Sequence, residues 1–588
     1  MASTAALATT FAVPTEVLGQ VLAAPLQPRT DVPTTLLQTI KQSQSDVETY
    51  RKLVVGAGEP YIARLDVLGK EPAADRAKAR RSLAYLGHLS DIHIIDAQSP
   101  GRLEPLIAVS PTFIDASRPQ DTMSVQVLSQ MVSSVANART SPLTGAPIAA
   151  VLSTGDNADS RNQLELEWCI KTMDGASVIP NSGAAGIYQG VQVWEEATYV
   201  YNPANPGLSE YGPHGFPTIP EMLTSAVSQN VKSVGLPVPW YTTYGNHDTL
   251  FMGNIQVDVS LQAWAVGNKK AALWPAAARN MLNGWSTNTS VFNQFSNHLR
   301  NALGLESGVH EVTADPQRKL FSQLEFMQAH FNSPPIPGPV GHGFTQANLD
   351  TGETWWQADI TPYLRVFGLD TCNQIAGADG AVPADQFNWL QAQLAQVQQD
   401  GKLAIICTHH NSYTLENVAA PAIGPHQQLY HADEFIAMLH QYPNMIAWIN
   451  GHTHINTITA HAQPGGKGFW EITTASCIDF PQQQQLIEVV DNRDGTLSLF
   501  TTTIDHDSAP GWENGDFSQK GLASLSREIA SNAWEFEPLP HSGSPLDRNC
   551  ELLMQAPFDL SKISEAELDK AHATQTARLV AYRGKAPA

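Results

Sequence analysis

At 588 residues the chain exceeds the usual size of one domain, so it holds either several domains or one large α/β core carrying insertions. Its 34 Lys and Arg against 56 Asp and Glu give a net charge of −22, which repels phosphate polymers and anionic membranes and argues against stable nucleic-acid binding. Hydrophobic residues make up 42%, ample for a buried core, and the five cysteines are scattered without a CxxC pair, so neither a disulfide framework nor a zinc ribbon is indicated.

In chain order, the first feature is Thr4 to Pro25, small and apolar with no charge before Glu16. It resembles the apolar core and cleavage end of an export signal, though no basic segment precedes it, and the alternative is an amphipathic or disordered segment. We therefore expect residues 1–30 to be leader-like and the protein to be exported (periplasmic, cell-envelope or secreted), with a cytoplasmic location as the alternative. No later run is long and apolar enough for a transmembrane span. Residues 31–82 read as an N-terminal extension.

Five strand-like apolar runs then each end in a loop of ligand-capable residues. "RSLAYLGHLSDIHIID" (Arg81 to Asp96) puts Asp91 and His93 one residue apart, and "PIAAVLSTGDNADS" (Pro147 to Ser160) delivers Asp156 with Asp159 three residues later. "VPWYTTYGNHDT" (Val238 to Thr249) ends in Gly245-Asn246-His247-Asp248, and "KLAIICTHHNSY" (Lys402 to Tyr413) in His409-His410. In "NMIAWINGHTHINTIT" (Asn444 to Thr459) the run Met445 to Ile449 reads as a buried strand, and Gly451 marks its end before His452 and His454. Ligands in open α/β sheets collect outside the carboxyl ends of strands, so these loops can surround one site without being close in sequence.

Between the motifs lie long stretches rich in Gly, Pro and aromatics. In the first, Trp194, Tyr201, Tyr211 and Phe216 either form a lid over the site or anchor a surface excursion. Gly368 to Asn373 and Asp385 to Gln396 look like a strand followed by an amphipathic scaffold helix. Lys467 to Asp505 alternates as strands do, and Asp491 to Gly495 lacks the acidic spacing of a calcium loop, so we expect a hairpin turn there. Residues 506–588 read as a covering, partly helical extension, with helices around Leu522 to Trp534 and Ser564 to Tyr582.

Mixed imidazole, carboxylate and carboxamide donors suit zinc, iron, manganese or nickel better than calcium. Two such ions roughly 3.5–4 Å apart can hold a phosphate, generate hydroxide between them and stabilise the attacking and leaving oxygens. Any one of the dipeptides occurs by chance; the ordered set points to a dinuclear centre.

That ordered set, DIH, GDNAD, GNHD, HH and GHTH, resembles the calcineurin-like metallophosphoesterases, over about Leu83 to Asp505. The long inserts and export-like leader are similar to an exported bacterial subgroup. The resemblance implies an α/β, four-layer αββα sandwich (residues 83–505) with long insertions at about 160–237 and 251–360 and a C-terminal extension. It also implies two divalent or trivalent transition-metal ions and hydrolysis of a phosphoester. Carried over motif by motif, Asp91, His93 and His454 would bind the first ion and Asn246, His409 and His452 the second, with Asp156 bridging. His247 would be the general acid. The family's ligand stands first after its strand, which favours His409 and leaves His410, together with Arg161, as candidate contacts to the substrate phosphate. His88 fits packing behind the ligands better than direct chemistry. Asp159 stands where the purple acid phosphatases carry a tyrosine, which disfavours that branch.

The carboxylate that orients His247 is Asp159 or Asp248. Neighbours on an extended loop point apart, and the GDxxD spacing resembles the phosphoprotein phosphatases, so we expect Asp159. A small phosphoester, monoester or diester, is the expected substrate; the competing class is a catalytically silent binding or scaffold protein. Oligomeric state is not legible.

Overall fold

The structure, a computed structural model, describes residues 29–44, 49–109, 111–273, 308–375, 377–418 and 428–583, together with the short strand Gln20–Val21. The leader-like segment otherwise lies outside the described residues up to residue 28, as do residues 274–307 of the second insertion.

Fourteen strands build two mixed sheets. In chain order they are β1 (Gln20–Val21), β2 (Ile62–Arg64), β3 (Arg81–Leu89), β4 (Ala150–Ser153), β5 (Trp240–Thr242), β6 (Trp356–Thr361), β7 (Leu364–Gly368), β8 (Leu403–Cys407), β9 (Met445–Asn450), β10 (Thr457–Gln463), β11 (Lys467–Thr473), β12 (Gln483–Asp491), β13 (Thr496–Asp505) and β14 (Cys550–Gln555). The first sheet runs β1-β2-β14-β13-β12-β3-β4-β5 and the second β6-β7-β8-β9-β11-β10. Within the first, β3, β4 and β5 are parallel, with Leu89 beside Ser153 and Ser153 beside Thr242. Within the second, β7, β8, β9 and β11 are parallel. Parallel strands buried on both faces need continuous apolar sequence, and "LAIIC" and "MIAWI" supply it.

Alternation along β8 shows how the layers are joined. Leu403, Ile405 and Cys407 enter a core shared with Leu86, Leu152 and Leu486 of the first sheet. Ala404 and Ile406 face the other way, into a core with Phe387, Leu390 and Leu394 of helix α2 (Ala384–Asp400) and Phe435 and Met438 of α3 (Ala432–Leu439). Leu128 and Met131 of α1 (Ser124–Asn137) join the core of the first sheet.

The hairpin turn at Asp491 to Gly495 joins β12 to β13 as expected. Past residue 505 the sequence suggested a cover, yet β14 lies inside the first sheet, hydrogen-bonded to β13 on one side and β2 on the other. Helices α4 (Gln519–Asn532) and α5 (Glu565–Arg583) fall close to their expected positions. Tyr201, Tyr211 and Phe216 are buried with Tyr50 and with Leu522, Leu525 and Ile529 of α4, so these rings anchor the first insertion. Trp194 stacks on His310 at 4.0 Å. Among the described residues no helix is long and apolar enough to cross a membrane.

Candidate metal centre

The carboxyl ends of β3, β4 and β5 in one sheet and of β8 and β9 in the other open onto one buried cluster. Asp91 and His93 follow β3, Asp156 follows β4, and a short helix Asn246–Thr249 follows β5. His409 follows β8; His452 and His454 follow β9. Five of these donors sit on left-handed backbone: Asp91 (φ 51°), His93 (45°), Asp156 (53°), His452 (70°) and His454 (59°). Each such residue costs on the order of 1–3 kcal/mol and persists only because its surroundings over-determine it. The conformation folds each loop sharply, so that residues two apart converge. Two glycines permit the approach: a Cβ on Gly451 would lie 1.9 Å from Ser90 Oγ, and one on Gly245 would lie 2.0 Å from Asp156 Oδ1.

Among the described residues, four acidic or imidazole groupings have ligand atoms within 4.8 Å of one another; they include Asp91 with His93 and His454, and Asp91 with Asp156 and His409. The hydrogen bonds fix which atoms face inward. His409 Nδ1 donates to the Thr154 carbonyl at 2.8 Å, so Nε2 is the nitrogen turned inward, toward Asn246 Oδ1 at 2.8 Å and Asp156 Oδ2 at 3.3 Å. Asn246 Nδ2 donates to the Gly253 carbonyl at 3.1 Å, which leaves its Oδ1 as the inward atom. His452 Nδ1 lies 3.1 Å from both that oxygen and His409 Nε2. His93 Nδ1 donates to Asp159 Oδ1 at 2.9 Å, and its buried Nε2, 3.4 Å from Asp156 Oδ2, has no hydrogen-bond partner. His454 Nδ1 meets Asp479 Oδ2 at 2.6 Å, and its Nε2 lies 3.3 Å from Asp91 Oδ1. Acceptors and lone pairs aimed at one another are stable only with a proton or a cation between them. This donor set fits a transition-metal centre.

The charges carry the same message. Burial opposes ionisation of Asp156, yet the His409 and His247 imidazoles hold it well below the usual carboxylate range. Burial would depress His409 and His454, but Asp156 raises the first to about 9 and Asp91 the second to about 10. His452, half-buried beside the His410 and His409 imidazoles, is pushed well below its ordinary value by desolvation and by those rings.

Three expected roles change. The carboxylate of Asp159 is engaged by His93 and, through Oδ2, by Arg102 Nη1 at 2.8 Å; its Oδ1 is 3.9 Å from His247 Nδ1. What His247 Nδ1 bonds is the Asp159 backbone carbonyl, at 2.5 Å. A carbonyl buried in the turn is the better-aimed acceptor because the side chain is committed to the opposite wall. Asp248 does not orient His247 either. Its carboxylate accepts from the Gly245 amide at 3.0 Å, the Ala158 amide at 3.0 Å and the Asn157 amide at 3.1 Å, bracing the GDN loop against the GNHD loop. Burial and the nearby Asp156 charge raise it to about 7. His410, although close to His409 and His452, has both ring nitrogens occupied: Nδ1 by the Thr371 hydroxyl at 2.8 Å and Nε2 by the Ala378 carbonyl at 2.7 Å. It is wall, with no nitrogen left for a phosphate. Arg161 (φ 57°) is tied through Nε to the Phe321 carbonyl at 2.6 Å. His88, as expected, packs behind the ligands, with Nε2 3.0 Å from Thr154 Oγ1.

Sequence reasoning missed Asp479, Arg118, Arg102 and Asp121. Arg102 and Arg118 are buried and meet at Asp121 Oδ2, which accepts from Arg102 Nη2 at 2.8 Å and from the Arg118 amide at 3.1 Å. Burial opposes the charges of Asp159 and Asp479, but Arg102 beside the one and Arg118 beside the other hold both carboxyls well below the usual range. The sole signal for Asp479 was an acidic residue in an otherwise apolar "SCIDF".

No family model matches the chain, and no curated protein matches it. Among solved structures the chain is similar to a dimetal phosphatase from Danio rerio, with 10% identity and a TM-score of 0.31, over 73% of this chain and all of that one.

Proposed function

We propose that the chain is a calcineurin-like metallophosphoesterase with a four-layer αββα core, hydrolysing a small phosphoester at two transition-metal ions. The observation that carries this reading is Asp156 Oδ2, which lies 3.4 Å from His93 Nε2 and 3.3 Å from His409 Nε2 and so joins two donor sets. Asp91, His93 and His454 would hold one ion, Asn246, His409 and His452 the other, and Asp156 both. When bound, such ions supply Lewis acidity to a phosphoryl group and lower the pKa of water.

The chain's own residues do the rest. Asp156 Oδ1 accepts the His247 amide at 2.8 Å, which ties the candidate acid to the bridging group. The Asp159 carbonyl holds His247 Nδ1, so Nε2 is the nitrogen free to pass a proton to the departing alkoxide. The His247 side chain is 14% exposed, enough to meet a substrate at the mouth of the centre. The net charge of −22 supports a small substrate over a polyanion.

The test is to purify the chain, measure its metals, and compare hydrolysis of p-nitrophenyl phosphate with bis-p-nitrophenyl phosphate. We expect about two transition-metal ions per chain and turnover of at least one ester. Metal without turnover of either, or of alkyl phosphoesters, would favour a silent scaffold instead.

A further inference from the structure

We propose that Asp479 and Arg118 form a positioning pair that sets the His454 imidazole for cation binding, and that the segment following α4 seats this pair. The inference rests on the metal reading of the centre. His454 stands on a loop with left-handed backbone, and the partners of its ring, Asp479 and Asp91, come from outside that loop. Asp479 supplies the fix: Oδ2 takes Nδ1 at 2.6 Å, which assigns the proton to Nδ1 and leaves Nε2 as the donor facing Asp91. A carboxylate on the far nitrogen both orients an imidazole and strengthens it as a ligand.

Asp479 is itself held from two sides. Its amide donates to Ser476 Oγ at 2.9 Å, and its second oxygen accepts from Arg118 Nε at 2.7 Å. Arg118 comes from the far end of the chain, ahead of α1, and its guanidinium is covered by the Phe536 ring at 5.3 Å. Two residues past His454, the Asn456 amide donates to the His541 carbonyl at 3.0 Å, and Gly543 packs so closely that a Cβ there would fall 2.2 Å from the Asn456 carbonyl. Residues 536–543 thus touch both the pair and the loop it serves.

The test uses the full chain and a competing chelator to measure metal affinity, with elemental analysis for stoichiometry and the melting temperature of the metal-free form as the fold control. For Asp479→Asn we expect affinity for one of two ions to fall about 10- to 100-fold while the other is retained. Arg118→Gln, which leaves the Asp479–His454 bond but removes its backing, is expected to lose about tenfold and serves if the first variant does not fold. Phe536→Ala should lower affinity less, in the same direction. Two ions bound with wild-type affinity by Asp479→Asn, or by Arg118→Gln if that variant alone folds, would overturn the inference alone; a wild-type chain that takes up no transition metal would overturn the reading of the centre itself.

Discussion

His93 and His454 turn Nδ1 to carboxylates, at 2.9 Å from Asp159 and 2.6 Å from Asp479, each backed by a buried arginine. His409 and Asn246, in the other half of the centre, lean on uncharged carbonyls of Thr154 and Gly253, at 2.8 and 3.1 Å. The contrast has an energetic meaning. A carboxylate strengthens the imidazole as a donor but must itself be stripped of water, which is why each brings an arginine; a carbonyl orients the ligand at little desolvation cost. If the centre holds two ions as proposed, the half anchored by carboxylates would be expected to keep its ion more tightly and the half anchored by carbonyls to exchange first.

The largest effect expected is the one that abolishes the comparison. Asp156→Ala removes the group common to both halves, so both ions should be lost and hydrolysis should drop by at least roughly a thousandfold; two bound ions with retained turnover would exclude Asp156 as the bridge. Next, His247→Gln leaves both halves intact and removes the proton donor. kcat on an alkyl ester should fall about 10²- to 10⁴-fold, and much less on p-nitrophenyl esters, whose leaving group needs no proton, with metal content unchanged.

Asp159→Asn sharpens the contrast between halves. Because its carboxylate serves His93, the variant should lose about 10- to 100-fold in affinity for one ion, whereas a variant that keeps its metals and loses only kcat on alkyl esters would return Asp159 to the service of His247. The smallest effect lies outside the centre, at the buried Asp174 carboxylate, whose neighbouring His342 Nε2 at 3.8 Å is pushed down to about 3 by burial. Asp174 accepts from the Trp240 indole at 2.9 Å, and burial raises its carboxyl to about 6 from an ordinary 3.8. A raised pKa means stability that is full below about pH 4 and is lost as pH rises through 6. Asp174→Asn keeps the indole bond and should stabilise the protein by about 2 kcal/mol at pH 7.5, and hardly at all at pH 4. Equal melting differences at the two pH values would refute this.

The donors were legible because each stands directly behind an apolar run, and an apolar run of that length has few options but a buried strand whose end faces a cleft. The anchors were not. Asp479 lies in a loop between β11 and β12, within a stretch, Lys467 to Asp505, that read only as strands and their hairpin turn, and Arg102 and Arg118 lie in irregular chain whose residues obey no period. Asp159 was found but its partner was misjudged: spacing of three predicts that a side chain returns toward the site, not which of two neighbouring imidazoles it meets. The turn after Asp156 sends the carboxylate to His93 and the carbonyl to His247. In the same way β14 carries a short apolar run, Leu552 to Met554, but nothing local says that it pairs with a strand almost five hundred residues earlier.

The contact between Asn456 and His541 matters for how the molecule is made. A chain emerging from the ribosome presents every candidate donor of the centre by His454, while the residues that bolt its loop and the strand that joins β13 to β2 in the first sheet are still to be synthesised. If the centre binds metal as proposed, capture before release would meet a loosened His454, and a product shortened by proteolysis or a premature stop would carry the full set of motifs yet bind metal poorly.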